Sequence, residues 1–196
     1  MPKNFFLIIF SLSYITGYSQ NEIPVTQFDS SVHKKIYRIT FSNYQTIELI
    51  SLTDQNYSGT IRNAVWKINR NGDKQRLKYK IYDIAKSDVD TLFQNLPKEN
   101  IETLPTCEKV QGCTIGMDGL SISFDIITSD FKNSYWYWDP ENDRYQNENI
   151  QEIKSVRNIL TLLKSRIEVK KIFEQFKDSL PEGFYSYGGI IMHKID

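Results

Sequence analysis

Residues 64–84 read AVWKINRNGDKQRLKYKIYDI, two alternating runs on either side of Asn71-Gly72. Asn-Gly is the preferred pair for a two-residue type I′ turn, because the twist of that turn matches the twist of the strands it joins. A two-residue loop sets Trp66 opposite Leu77, Ala64 opposite Tyr79 and Arg62 opposite Ile81 on one side of the hairpin. The other side then holds Lys67, Lys74, Arg76, Lys78 and Lys80. Opposed Lys67 and Arg76 repel, but only mildly on a wet face where water and salt screen them. This basic strip reads first as a solvated face and second as a docking strip for a polyanion or acidic partner.

The same period-2 signal recurs outward from this hairpin. Residues 36–41 (IYRITF) and 46–52 (TIELISL) flank a Ser42-Asn43 turn, which predicts a second hairpin. In LSISFDI (120–126), Leu120, Ile122, Phe124 and Ile126 share one face; a turn at Ser129-Asp130 leads back through FKNSYWYW. The tail GFYSYGGIIMHKID adds a short strand after a Gly188-Gly189 turn. Helical spacing appears twice. Ser87 is placed to cap a helix whose stripe is Val89, Leu92, Phe93 and Leu96, and Pro97 ends it. Asn149 with Glu152 resembles a capping box, followed by a stripe of Ile150, Ile153, Val156, Leu160, Leu163 and Ile167. The stripe shifts between Arg166 and Val169, which marks a bend or break before Ile172, Phe173 and Phe176. The expected fold is α+β: an antiparallel sheet of two or three hairpins packed by a short helix and a long C-terminal helix, in one domain.

The chain has 196 residues and opens MPKNFFLIIFSLSYITGYSQ. One cation, an apolar run from Phe5 to about Ile15, and Gly17 and Ser19 before Gln20 follow the pattern of a secretory signal peptide. The run is shorter than the roughly twenty apolar residues of a spanning helix. Residues 1–19 are therefore expected to be removed, residues 20–34 to form a flexible lead-in, and residues 35–196 to form the domain. Of 24 basic and 24 acidic side chains only Lys3 lies in the signal, so the mature chain carries a formal charge of −1 (23 against 24). Such balance argues against nucleic acid or an anionic membrane as a global partner. The expected product is a secreted or periplasmic monomer.

Cys107 and Cys113 are the two cysteines, close together and even in number, which in an oxidising compartment reads as a disulfide. Closing so short a ring contributes about 2 kcal/mol. Zinc binding would need further Cys or His ligands, and only His33 and His193 exist. Asp139, Glu141 and Asp143 alternate like the start of a calcium loop, but Arg144 replaces its glycine and Ile150 its bidentate glutamate. No metal or other cofactor is expected. Ser-His-Asp chemistry finds no nucleophile elbow, and an Asp118/Asp125 pair acting as acid and base is a minor alternative to a turn residue and a strand residue. The balance favours a binding protein over an enzyme.

The best binding candidates are Tyr135, Trp136, Tyr137 and Trp138, since rigid aromatics offer large apolar area with a polar handle. Side chains alternate along a strand, so one pair is expected in the core and the other outside. The outer pair would anchor a protein partner in an inhibitor-like module or stack on a glycan in a carbohydrate-binding one. Residues 118–190 resemble a group of small uncharacterised secreted bacterial proteins. The resemblance lies in Asp118-Gly119, the YWYWDP stretch at 135–140, a long helix, and SLPEGFYSYG at 179–188. It implies a secreted single domain in which 179–188 joins the same unit as the aromatic hairpin, and it supplies no catalytic residue.

Overall fold

The computed structural model describes residues 24–195, so the expected signal segment lies outside the described residues. Strands β1 (His33–Phe41) and β2 (Gln45–Leu52) form the first hairpin. Ser42 and Asn43 sit at φ 40° and 61°, and the Tyr44 N–H donates to the Phe41 carbonyl at 3.0 Å. Two successive residues at positive φ are the signature of a type I′ turn. Because Phe41 pairs with Gln45, Tyr44 is left over between the strands.

The second hairpin joins β3 (Tyr57–Ile68) to β4 (Lys74–Asp83). Its body has the expected register, with Trp66 opposite Leu77, Ala64 opposite Tyr79 and Lys67 opposite Arg76. The tip is not the expected two-residue turn. Gly72 alone takes a left-handed φ of 87°, its N–H reaches Asn69 C=O, and Asn69 N–H reaches Asp73 C=O, both at 3.1 Å. This is a type I turn followed by a left-handed glycine. The cause is Asn69, whose Oδ1 accepts from the N–H groups of Asn71 and Asp73 at 2.9 Å and so stabilises the wider loop. A bulge at Gln75 restores the register, since Ile68 pairs with Lys74 but Lys67 with Arg76. It also corrects the basic strip: Lys74 faces away from Lys67, Arg76, Lys78 and Lys80 and lies 5.1 Å over the Trp66 ring.

Strands β5 (Ser121–Thr128) and β6 (Lys132–Trp138) form the third hairpin, and β7 (Gly183–Tyr187) and β8 (Ile190–Lys194) the fourth, turning at Gly188-Gly189. Among the described residues four hairpins, where two or three were expected, make one eight-stranded antiparallel sheet in the order β6-β5-β1-β2-β3-β7-β8, with β4 on the remaining edge of β3. The twelve residues of β3 outrun β2. Its first part pairs with β2 up to Asn63 opposite Gln45, and its last part pairs with β7 from Trp66 opposite Ser186.

Among the described residues three α-helices cover one face: α1 (Lys86–Asn95), α2 (Gln151–Arg166) and α3 (Val169–Asp178). The expected single long helix is broken at Ile167 and Glu168, and the fourth hairpin follows it. A continued helix would turn Lys170, Lys171 and Glu174 onto the buried stripe; breaking it resets the phase and buries Phe173 and Phe176 instead. Neither expected side-chain cap forms. Ala85 precedes α1, with Ser87 already in its first turn, and Asn149 donates its N–H to Asn147 Oδ1 so that α2 begins only after Ile150.

The core lies between sheet and helices. Tyr37, Ile39, Ile47, Leu49, Ile61, Ile122, Phe124, Tyr135 and Tyr137 meet Val89, Leu92, Ile153, Val156, Leu160 and Leu163. Each such side chain contributes about 1.5–3 kcal/mol by leaving water. Gly59 lets α1 approach, since a Cβ there would stand 2.8 Å from Val89 Cγ2. The opposite face is polar at its centre. Glu48, fully buried, accepts from Arg38 Nε at 2.8 Å and pairs with Arg62. Thr26 completes the cluster, donating from Oγ1 to Glu48 at 2.9 Å and accepting on its carbonyl from Arg38 at 2.7 Å. Within the expected lead-in, Thr26 is thus hydrogen-bonded to the sheet, and β1 begins at His33.

Candidate functional site

The aromatic hairpin divides as alternation requires, but it does not form an open platform. Tyr135 and Tyr137 are in the core, where their hydroxyls donate to the carbonyls of Ile101 at 2.7 Å and Pro105 at 2.8 Å. Burial pushes both phenols above the usual tyrosine pKa, and for Tyr137 Glu152 adds to the shift. Trp138, on the other face, is buried as well. The loop through Gly116 and Gly119 lies against its indole so closely that a Cβ at Gly119 would stand 2.8 Å from Nε1. Of the four, only Trp136 keeps part of its surface in water, and its Nε1 donates to Glu108 at 3.1 Å.

The cysteine loop serves this packing. Cys107 and Cys113 form a disulfide with Cα atoms 5.5 Å apart, and Cys107 is buried against the core. Buried Gln146 ties the following segment to β6, donating to the carbonyls of Thr114 at 2.8 Å and Trp138 at 2.6 Å. The other polar candidates are dispersed. Asp125 accepts from Ser134 at 2.6 Å and faces Arg38 at 3.9 Å, whereas Asp118 lines a groove with Trp66, Lys74 and Gly188. His33 Nδ1 accepts from Asp29 N–H, and His193 stacks on Phe184 at 4.2 Å. Glu141 pairs with Lys164, and Asp143 with Arg157 at 2.8 Å. Among the described residues no group of three His, Cys, Asp or Glu side chains could hold a metal ion, and no helix is long and apolar enough to cross a membrane.

The structure instead opens a cleft of about 640 Å³ where three interruptions coincide: the β1–β2 turn, the handover of β3 from β2 to β7, and the break between α2 and α3. A volume of this size lies within the range of roughly 300–1,000 Å³ common for small-ligand sites. Phe41, Ile167, Val169 and Phe173 supply its apolar walls. Tyr44, left over by the turn, stands 4.8 Å from Phe173 and 5.5 Å from Tyr187, and Phe173 and Tyr187 are 5.0 Å apart. Lys177 Nζ lies 5.4 and 5.6 Å from the Phe173 and Tyr187 rings, within cation–π range.

Buried amides hold the cleft open. Gln45 Nε2 donates to Asn63 Oδ1 at 2.7 Å and to the Val169 carbonyl at 2.9 Å, and Asn63 reaches the Ile172 carbonyl at 3.3 Å. These bonds fix the first turn of α3 over the end of β2. Burial pulls the Lys177 pKa down, but the hydrogen bond to Glu174 and the interactions with Tyr187 and Glu174 outweigh it, so this ammonium is held above the ordinary lysine value. Burial, reinforced by Tyr187 and opposed by Lys177, raises the Tyr44 phenol.

None of these lining residues stands out in the sequence as a motif. The usable signal was the phase shift between Arg166 and Val169, which locates the break but not the turn and strand that meet it. Comparison with protein-family models finds no match, and comparison with curated proteins finds none either.

Proposed function

We propose that this chain is an exported, non-enzymatic binding module that takes its ligand in the cleft at the α2–α3 break. The observation that carries the reading is the cleft itself: apolar and aromatic side chains on fixed elements, lined also by the hydrogen-bonded Gln45 amide and by lysines and glutamates. Its chemistry favours holding over reacting. The rim is lysine and glutamate, with Lys171 joined to Glu168 at 2.8 Å and Lys177 to Glu174 at 2.7 Å. A lysine nucleophile needs a depressed pKa, whereas Lys177 is shifted the other way. Export is supported by the apolar leader in the sequence and by the Cys107–Cys113 bridge, which suits an oxidising compartment.

The neutral apolar dye N-phenyl-1-naphthylamine tests the reading. Oxidised protein should bind it saturably and one to one. Tyr44→Ala, which removes one aromatic wall, should weaken binding about tenfold, equivalent to roughly 1.4 kcal/mol. Trp136→Ala should leave it unchanged. The opposite pattern, with Trp136→Ala abolishing uptake and Tyr44→Ala harmless, would return recognition to the aromatic hairpin.

A further inference from the structure

We infer that the cleft takes a small amphipathic anion, an apolar body bearing one carboxylate or equivalent oxyanion head. The inference rests on the reading of the cleft as a binding site and adds the class of ligand. An apolar body is implied by the half-buried rings of Tyr44 and Tyr187, backed by Phe41, Ile167, Val169 and Phe173, which line the cleft but are themselves largely buried. The head is implied by charge. Lys164, Lys170, Lys171 and Lys177 stand against Glu168 and Glu174 in the lining, an excess of two positive charges (four minus two).

Three of these lysines are engaged: Lys164 by Glu141 from outside the lining, Lys171 by Glu168 and Lys177 by Glu174. Lys170 has no ion-pair partner among the described residues, so it is the cation free to meet a head group. A neutral head would gain hydrogen bonds but no net charge attraction from this lining, and a cationic head would be repelled by its excess of lysines. The ligand inferred is one free molecule with a single chain, taken from solution.

Dodecanoate, dodecan-1-ol and dodecyltrimethylammonium share a chain and differ in head charge. Each is titrated below its micelle-forming concentration against oxidised protein carrying N-phenyl-1-naphthylamine, and dye displacement is read. The expected order is anion, alcohol, cation, with dodecanoate about tenfold tighter than the alcohol. The gap should close as salt rises from about 0.01 M to about 1 M, over which the Debye length falls from roughly 30 to 3 Å. Lys170→Glu should remove the preference for dodecanoate while leaving dodecan-1-ol affinity unchanged.

Equal affinity for anion and alcohol, or tighter binding of the cation, would overturn the anionic class and leave the cleft's binding role intact. No displacement by any of the three, from protein that does bind the dye, would overturn the amphiphile. Loss of the dye itself in wild-type protein is the separate outcome that defeats the underlying reading. Displacement by dodecanoate only when it is presented in phosphatidylglycerol vesicles would reassign the surface to a membrane.

Discussion

Glu48 sits in the middle of the sheet with no solvent contact, between Arg38 and Arg62 and under Thr26. Removing its charge leaves two nearly buried guanidiniums facing each other, with only Asp125, 3.9 Å from Arg38, as a remaining counter-ion. Glu48→Gln is therefore expected to destabilise the fold by about 3–5 kcal/mol, measured by urea denaturation. A change below about 1 kcal/mol would show that the cluster is wetter than its geometry implies. Nothing in residues 46–52 marks Glu48 as buried; its burial comes from Arg62 and Thr26, which lie 14 and 22 positions away. Trp138 teaches the same lesson. Alternation correctly sends it to the face opposite Tyr137, but its covering depends on Gly116 and Gly119, which no local rule connects to it.

Among the elements, the hairpins were the most legible, because period-2 alternation and turn residues are local properties of the chain. The Asn71-Gly72 loop nonetheless shows how a neighbouring side chain redirects a turn: Asn69 captures two N–H groups, the loop widens, and one lysine changes face. The disulfide was equally readable, and its contribution can be measured. Replacing both Cys107 and Cys113 by Ser is expected to lower stability by about 2 kcal/mol through the greater freedom of the unfolded chain. Part of that effect should appear as weaker protection of Trp138 from quenching, since the loop after the bridge covers its indole. The cleft was not legible, although the Ser42-Asn43 turn and the break between α2 and α3 were each foreseen separately. It exists because β3 is longer than β2, a relation between strands that neither strand states alone.

At the scale of the whole molecule, buried phenols tie the fold to alkaline pH. Burial raises Tyr37, Tyr44, Tyr135, Tyr137 and Tyr185, with Glu102 adding to the shift at Tyr37. The folded state therefore keeps protons that the unfolded chain releases above its ordinary tyrosine pKa near 10. Their contribution is complete below about pH 10 and is lost as pH rises further, so tyrosinate absorbance of these side chains should emerge together with unfolding. Titration of all tyrosines near pH 10 in a still-folded protein would contradict that burial. The β1–β2 turn, the handover of β3 and the helix break meet at the α2–α3 junction, in the cleft proposed as a ligand site. Amide chemical-shift mapping of the oxidised protein with dodecanoate tests it most directly. The expected result is a saturable set of shifts confined to residues 41–45, 164–177 and 187; shifts centred instead on Lys132–Trp138, or none at all, would contradict the account.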